Sequence, residues 1–197
     1  MYDREGAMSP KRLAYVCVLT FTIFLMWSVG SVLLGAYHAE TIREWAVRAS
    51  TVWYVPVVRA VDGDTIRVRT WFGREYSVRL LGIDTPESVD PRRGPECFGK
   101  EASDRTAELT DRRYVKLEFD DSQGIFDDSR SERLVAYVFF FDGEMLNLNL
   151  VREGFAEEWT YNKRRYAHQT AFRNAEKEAM KRRLGRWAAC GLESKKH

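Results

Sequence analysis

Nine residues, Arg79-Leu-Leu-Gly-Ile-Asp84-Thr85-Pro86-Glu87, place an arginine, two acids and a threonine on what otherwise reads as a buried strand running into a turn. A second acidic turn, Asp62-Gly63-Asp64-Thr65, lies a short way upstream. Burying carboxylates is costly unless something cationic compensates them. A hard metal ion with a phosphate beside it would do so, and the pattern therefore reads as a metal-dependent phosphodiesterase site.

Each residue type has a reason to be there. Asp64 closes a turn and Asp84 ends a strand, and neighbouring strand ends can meet. Two carboxylates there repel unless a cation sits between them. Oxygen donors select Ca²⁺ or Mg²⁺, and Thr85 could add its backbone carbonyl. Zinc is not suggested, because His38, His168 and His197 are scattered. Glu87, stiffened by Pro86, could orient or deprotonate a water attacking phosphorus. Arg79 and Arg133 are candidate clamps, since a guanidinium fork fits phosphoryl oxygens bidentately where charge develops. An isolated Asp in a turn is ordinarily an Asx-turn acid, and either arginine alone is ordinarily a surface or ion-pair residue. One spacing is awkward: Arg79 and Asp84 are five apart, which puts them on opposite faces of a regular strand. Either the strand bulges around Gly82 or the site straddles its end.

The elements that must position these residues are mostly strands. Val55–Ala60, Thr65–Thr70 and Glu75–Ile83 form a meander punctuated by Asp62-Gly63 and Phe72-Gly73. Gly99–Thr110 reads as a helix with Ala102, Thr106, Ala107 and Leu109 inward, Tyr114–Phe119 as a strand and Asp120–Ser131 as a polar loop. Arg133–Phe141 is an apolar strand, Met145–Glu153 a short helix closed by Gly154, and Arg165–Arg183 a long helix stopped by Gly185. The expected class is α+β: a five-stranded OB barrel with three α-helices. A parallel α/β sheet fits poorly, because no helix separates the first three strands.

Composition is globular, with 45% apolar and 30% charged residues, which excludes disorder. The net charge of +2 is too small to establish a nucleic-acid partner. Basic residues gather from Lys163 to Arg186, where they could track phosphates. Leu13–Tyr37 carries no charge and is long enough for a membrane span. The expected organisation is therefore a cytoplasmic N-terminus (1–12), an uncleaved transmembrane signal anchor (13–37), a linker (38–52), the barrel domain (53–191) and a tail (192–197). Arg4, Lys11 and Arg12 before the span favour a single-pass protein with its domain outside the cytoplasm; cleavage of the signal would give a secreted form. In such a compartment Cys97 and Cys190, the two cysteines outside the span, are a natural disulfide pair.

From about Val57 to Cys190 the chain resembles the staphylococcal nuclease (thermonuclease-like) family. The matching stretches, in the family's order, are Val61–Ile66, Arg79–Glu87, Phe98–Ser103, Arg133–Tyr137, Asn149–Gly154 and Glu176–Trp187. The resemblance implies an OB barrel with three helices and a calcium-dependent nuclease acting on DNA and/or RNA; a monomer is expected. It implies metal ligands at Asp64, Asp84 and the Thr85 carbonyl, and a catalytic trio of Arg79, Glu87 and Arg133. It also implies that the strand end around Gly82 distorts. The chain departs from the family in the loop Asp127–Arg133, which is longer and lacks its Tyr and Gly, so that Arg130 competes with Arg133 in the alignment; the register of Leu134–Tyr137 favours Arg133. Tyrosines that line the family's base pocket are replaced near Trp159–Asn162. The rival expectation is a non-catalytic OB module that tethers nucleic acid or a protein at the membrane.

Overall fold

The computed structural model describes residues 22, 39, 41–88, 94, 96–127 and 130–190. Two compact units divide at Val47 and Arg48. Helix α1 is described over residues 41–51. The apolar run 13–37, except Thr22, and the tail 192–197 lie outside the described residues. Among the described residues no helix is long and apolar enough to cross a membrane.

The second unit is built on a closed barrel. β1 (Val55–Asp62), β2 (Thr65–Arg69) and β3 (Glu75–Leu80) pair antiparallel in sequence. β5 (Tyr114–Glu118) pairs antiparallel with β1, and β7 (Arg130–Phe139) pairs antiparallel with β5. The parallel pairing of β3 with β7, Arg79 opposite Val135, closes the ring. Alternation of apolar residues explains the barrel: Ile66, Val68, Val78, Leu80, Val115, Leu117, Leu134, Ala136 and Val138 are all buried. Helix α2 (Gly99–Thr110) covers one side, α3 (Leu146–Arg152) and α4 (Gln169–Arg182) another, and the short α5 (Arg186–Ala189) ends the unit. Phe172, Leu146, Leu150 and Trp187 are the buried apolar anchors of these helices.

Four local expectations are corrected. The third strand does not continue to Ile83: it stops at Leu80, Gly82 turns at φ +80°, and a two-residue strand β4 (Ile83–Asp84) leaves in a new direction to pair with β8 (Glu157–Glu158). The inward face of α2 is Gly99, Ala102, Thr106 and Thr110, while Ala107 is exposed and Leu109 half-buried; the stripe follows the i, i+4 row instead of residue hydrophobicity. The loop 120–131 contains β6 (Phe126–Asp127) and the start of β7, because the backbone of Val135 donates to Ile125 and pulls the segment onto the sheet. The long helix begins at Gln169 and not at Arg165, because the residues before it are bonded elsewhere: the Tyr166 hydroxyl donates to Gly82 O and Ala167 N–H to Asp120 Oδ2.

A buried side chain joins the barrel to the turn. Asn147, fully buried on α3, donates from Nδ2 to Leu81 O (3.0 Å) and Ala136 O (3.2 Å) and accepts from Val138 N–H (2.9 Å). Its amide bridges the chain where β3 and β7 diverge, taking up Leu81 O and Val138 N–H and adding a second donor to Ala136 O, which already accepts from Leu81 N–H at 2.9 Å.

Candidate active site

The turn at Gly82 removes the spacing problem of Arg79 and Asp84. Its carbonyl accepts from Trp159 N–H (2.9 Å) and from the Tyr166 hydroxyl (3.2 Å). A Cβ at Gly82 would lie 2.7 Å from the Tyr166 ring and 2.8 Å from Phe172. The chain doubles back, and Asp84 returns to the side of Arg79. Arg79 Nη2 donates to Asp84 Oδ1 at 2.7 Å, and Nη1 pairs with Asp64 Oδ1.

The guanidinium thus sits between two carboxylates. Asp64 is 2% exposed and Arg79 has a side-chain exposure of 24%. Burial raises the Asp64 pKa above the ordinary carboxylate range, Arg79 opposes that shift and Asp84 adds to it. Burial alone would lower the Arg79 pKa, but Asp64 and Asp84 outweigh it and raise it. Asp64 also accepts from the Thr65 hydroxyl (3.1 Å) and from Thr85 N–H (3.2 Å). The acidic turn is pressed against Thr85, since a Cβ on Gly63 would approach Thr85 Oγ1 to 2.6 Å. It is held from behind by the Thr106 hydroxyl, which donates to Gly63 O at 2.6 Å.

A cavity of about 430 Å³ opens over this group. Arg79, Asp84 and Arg133 line it, and Arg133 is paired through Nε and Nη2 with Asp127. Its far wall carries Trp159, Tyr161, Arg164 and Tyr166, with Phe126 and Glu96 at other points. Asp64 lies beneath Arg79 and reaches the cavity through it. Thr85 is bonded to Asp64. Glu87 is not part of the lining; it is half-buried two residues beyond Thr85, with its backbone fastened to Glu96.

Could this set hold a metal? Asp64 and Asp84 present oxygens to one small cationic volume, now filled by the Arg79 guanidinium, and the Thr85 backbone is adjacent. The donors are hard oxygens, which suit Ca²⁺ or Mg²⁺ and not a thiophilic ion. Among the described residues no group of three or more His, Cys, Asp and Glu is placed to hold a metal, so a cation would rest on two carboxylates, a carbonyl and water or phosphate oxygens.

Several lining residues carry no sequence signal. Glu96 and Tyr166 belong to no motif, and Asp127 was singled out only as the start of the altered loop Asp127–Arg133; the fold brings all three to the cavity. Arg164 was visible as one of the basic C-terminal residues. Others of that group serve structure: Arg186 is 7% exposed and donates to Glu157 at 2.6 Å, and Arg173 pairs with Glu158.

Comparison with known proteins identifies the family. Residues 77–189 match the family model described as staphylococcal nuclease homologue. A thermonuclease of Staphylococcus hyicus is 36% identical over 132 residues, 67% of this chain and 74% of that protein. The SPbeta prophage-derived endonuclease YokF of Bacillus subtilis is 37% identical over 139 residues, covering 70% of this chain but 45% of that longer protein. Endonuclease YncB of the same organism is 35% identical over 139 residues, covering 70% of this chain and 63% of that protein. The chain belongs to the staphylococcal nuclease family, whose members are hydrolases of phosphodiester bonds.

Proposed function

We propose that the protein is a calcium-dependent, monomeric nuclease that hydrolyses DNA and/or RNA, held at a membrane by its N-terminal segment with the barrel outside the cytoplasm. The observation that carries the enzymatic reading is the convergence of Arg79, Arg133 and Asp84 on one cavity above the buried Asp64. Asp64, Asp84 and the Thr85 carbonyl would hold the cation, which supplies a Lewis acid for a phosphoryl oxygen and cancels the charge of the two carboxylates. Arg79 and Arg133 then have two tasks. Each must turn N–H donors from its carboxylate toward the scissile phosphate, and each guanidinium carries five such donors. As water adds to phosphorus, charge grows on the phosphoryl oxygens, and donors aimed there lower the barrier by several kcal/mol apiece. Glu87 orients the attacking water or takes its proton. The P–O bond to one sugar breaks, and one of the two arginines neutralises the departing oxygen.

Purified full-length protein in detergent, incubated with denatured DNA and with RNA, tests this directly. Cleavage should occur with Ca²⁺, stop with EGTA and vanish in an Arg79→Ala/Glu87→Ala variant. Salt-sensitive binding without cleavage would instead identify a tethering module, for which the altered loop 127–133 supplies the reason. Anchoring is read separately, from whether the protein stays in the membrane fraction through a carbonate wash.

A further inference from the structure

Glu87 lies beside the cavity lining, and its backbone is gripped by Glu96. Glu87 N–H donates to Glu96 Oε2 at 3.0 Å, while Glu96 N–H donates to Glu87 O at 2.8 Å. The start of α2 closes on the same unit: Gly99 N–H donates to Glu96 O at 3.0 Å, and a Cβ on Gly99 would overlap the Glu87 carbonyl. The next residue after Glu96 is Cys97, bonded to Cys190 across 93 residues of chain. Cys190 caps α5, donating its N–H to Arg186 O at 2.8 Å. Arg186 in turn donates its N–H to Gly154 O (2.9 Å) and its guanidinium to Glu157 Oε2 (2.6 Å). Glu157 lies on β8, opposite Asp84 of β4. One corner, α5 with its buried Glu157–Arg186 pair, therefore anchors Asp84 through a sheet pairing and Glu87 through a disulfide and Glu96.

Resting on the nuclease reading above, we infer that Glu96 is a positioning residue for Glu87 and that the Cys97–Cys190 bond is its anchor, so that turnover depends on the disulfide being oxidised. Reduction leaves Asp64, Asp84 and the two arginines where the barrel puts them. It frees the segment that fixes Glu87 relative to them, and a misplacement near 1 Å at a reacting group costs about a hundredfold in rate. On reduction the loss belongs in kcat, because Asp84, Arg79 and Arg133 are held by the strand pairings and ion pairs of the barrel and not by the disulfide.

The experiment uses the full chain with Ca²⁺ and single-stranded DNA, below the melting temperature of every form, with folding checked by circular dichroism. The forms compared are oxidised wild type, wild type reduced with a phosphine, Glu96→Ala and Glu96→Gln. Reduced wild type and Glu96→Ala should both lose kcat by about a hundredfold at unchanged calcium affinity by calorimetry, and the reduced protein, whose cavity charges are intact, should do so at unchanged KM. Glu96→Gln, whose amide oxygen still accepts from Glu87 N–H, should recover most of the rate. Full kcat in Glu96→Ala or in the reduced protein, a loss confined to KM or calcium affinity, or no rescue by Glu96→Gln would each overturn the inference while leaving the nuclease intact. Oxidised wild type that does not cleave at all would overturn the nuclease reading itself, and this inference with it.

Discussion

In the proposed mechanism Arg79 has two functions that pull in different directions. As a clamp it must be available to phosphate, yet it is also the cation that makes a buried Asp64 and a nearby Asp84 tolerable. Removing one partner of a buried charge cluster costs about 3–5 kcal/mol when the group left behind is uncompensated; partial exposure of Arg79 and Asp84 lowers that to about 2–3 kcal/mol here. Arg79→Ala is therefore expected to melt earlier in EGTA and to recover much of the difference in Ca²⁺, while turnover falls by about a hundredfold or more. Equal melting of wild type and variant in EGTA would show that Arg79 is not the counter-charge. Arg79→Lys keeps the charge but not the fork, so it should restore stability better than rate. At this scale the sequence was legible where residues share a motif. Arg79, Asp84, Asp64 and Thr85 do come together, and Arg133 faces the same cavity. Glu96 and Asp127 were not legible as site residues, because each is an ordinary charged residue whose place depends on loop closure, and Arg164 was legible only as one of many basic residues near the C-terminus. The tie between Glu87 and the cavity runs through Glu96, and no spacing rule encodes a clamp between backbone and carboxylate across an intervening loop.

The element that decides the site is the broken strand at Gly82. Hydrophobic alternation read Glu75–Ile83 as one strand, since Leu80, Leu81 and Ile83 are all buried. The positive φ of Gly82 and the two rings packed on its Cα end that strand early, and only then can Asp84 meet Arg79. Gly82→Ala has to relieve both the left-handed conformation and an overlap with Tyr166, which costs about 2–4 kcal/mol. It should lower the melting temperature and also weaken calcium binding, because Asp84 is carried on the displaced segment. A variant that binds calcium as wild type does would mean that β4 is positioned by β8 alone. A second element, the turn at Asp120, gives a pH signature away from the site. Burial pushes the Asp120 carboxyl up, but it accepts from the Ser122 hydroxyl and backbone, from Ala167 N–H and from the Tyr137 hydroxyl, and together these hold its pKa below 3.8. A depressed native pKa contributes stability in full above the unfolded value of 3.8 and loses it as pH falls through the lower native value. Asp120→Asn should cost about 1–2 kcal/mol at neutral pH, and its deficit should shrink on acidification below 3.8. A deficit that stays constant down to that range would assign the cost to geometry instead of charge.

For the whole molecule, net charge says little about how nucleic acid is held. The chain carries +2 overall, and the cavity lining is balanced: Arg79, Arg133 and Arg164 against Asp84, Glu96 and Asp127, with Asp64 beneath. Without a bound cation the cavity offers a phosphate donors but no net attraction, and Arg79 and Arg133 are already partnered by acids. A divalent cation between Asp64 and Asp84 changes the sign, leaving the lining positive and Arg79 released from two carboxylates. Calcium is thus expected to control binding as well as chemistry. Measured with Glu87→Gln, which prevents turnover during the titration, single-stranded DNA should bind at least about tenfold tighter in Ca²⁺ than in EGTA, a gain of about 1.4 kcal/mol or more. In Ca²⁺ the three cavity arginines contacting three phosphates predict a slope of log K against log salt near about −2, and Arg164→Ala should make it shallower by about 0.7. The competing source of affinity is the exposed basic face of α4 and its end, Lys177, Lys181, Arg182 and Arg183, which faces solvent whether or not a cation is bound. Binding through that face would be equally tight in EGTA and in Ca²⁺ and would not respond to Arg164→Ala, so the pair of titrations decides which surface the substrate uses.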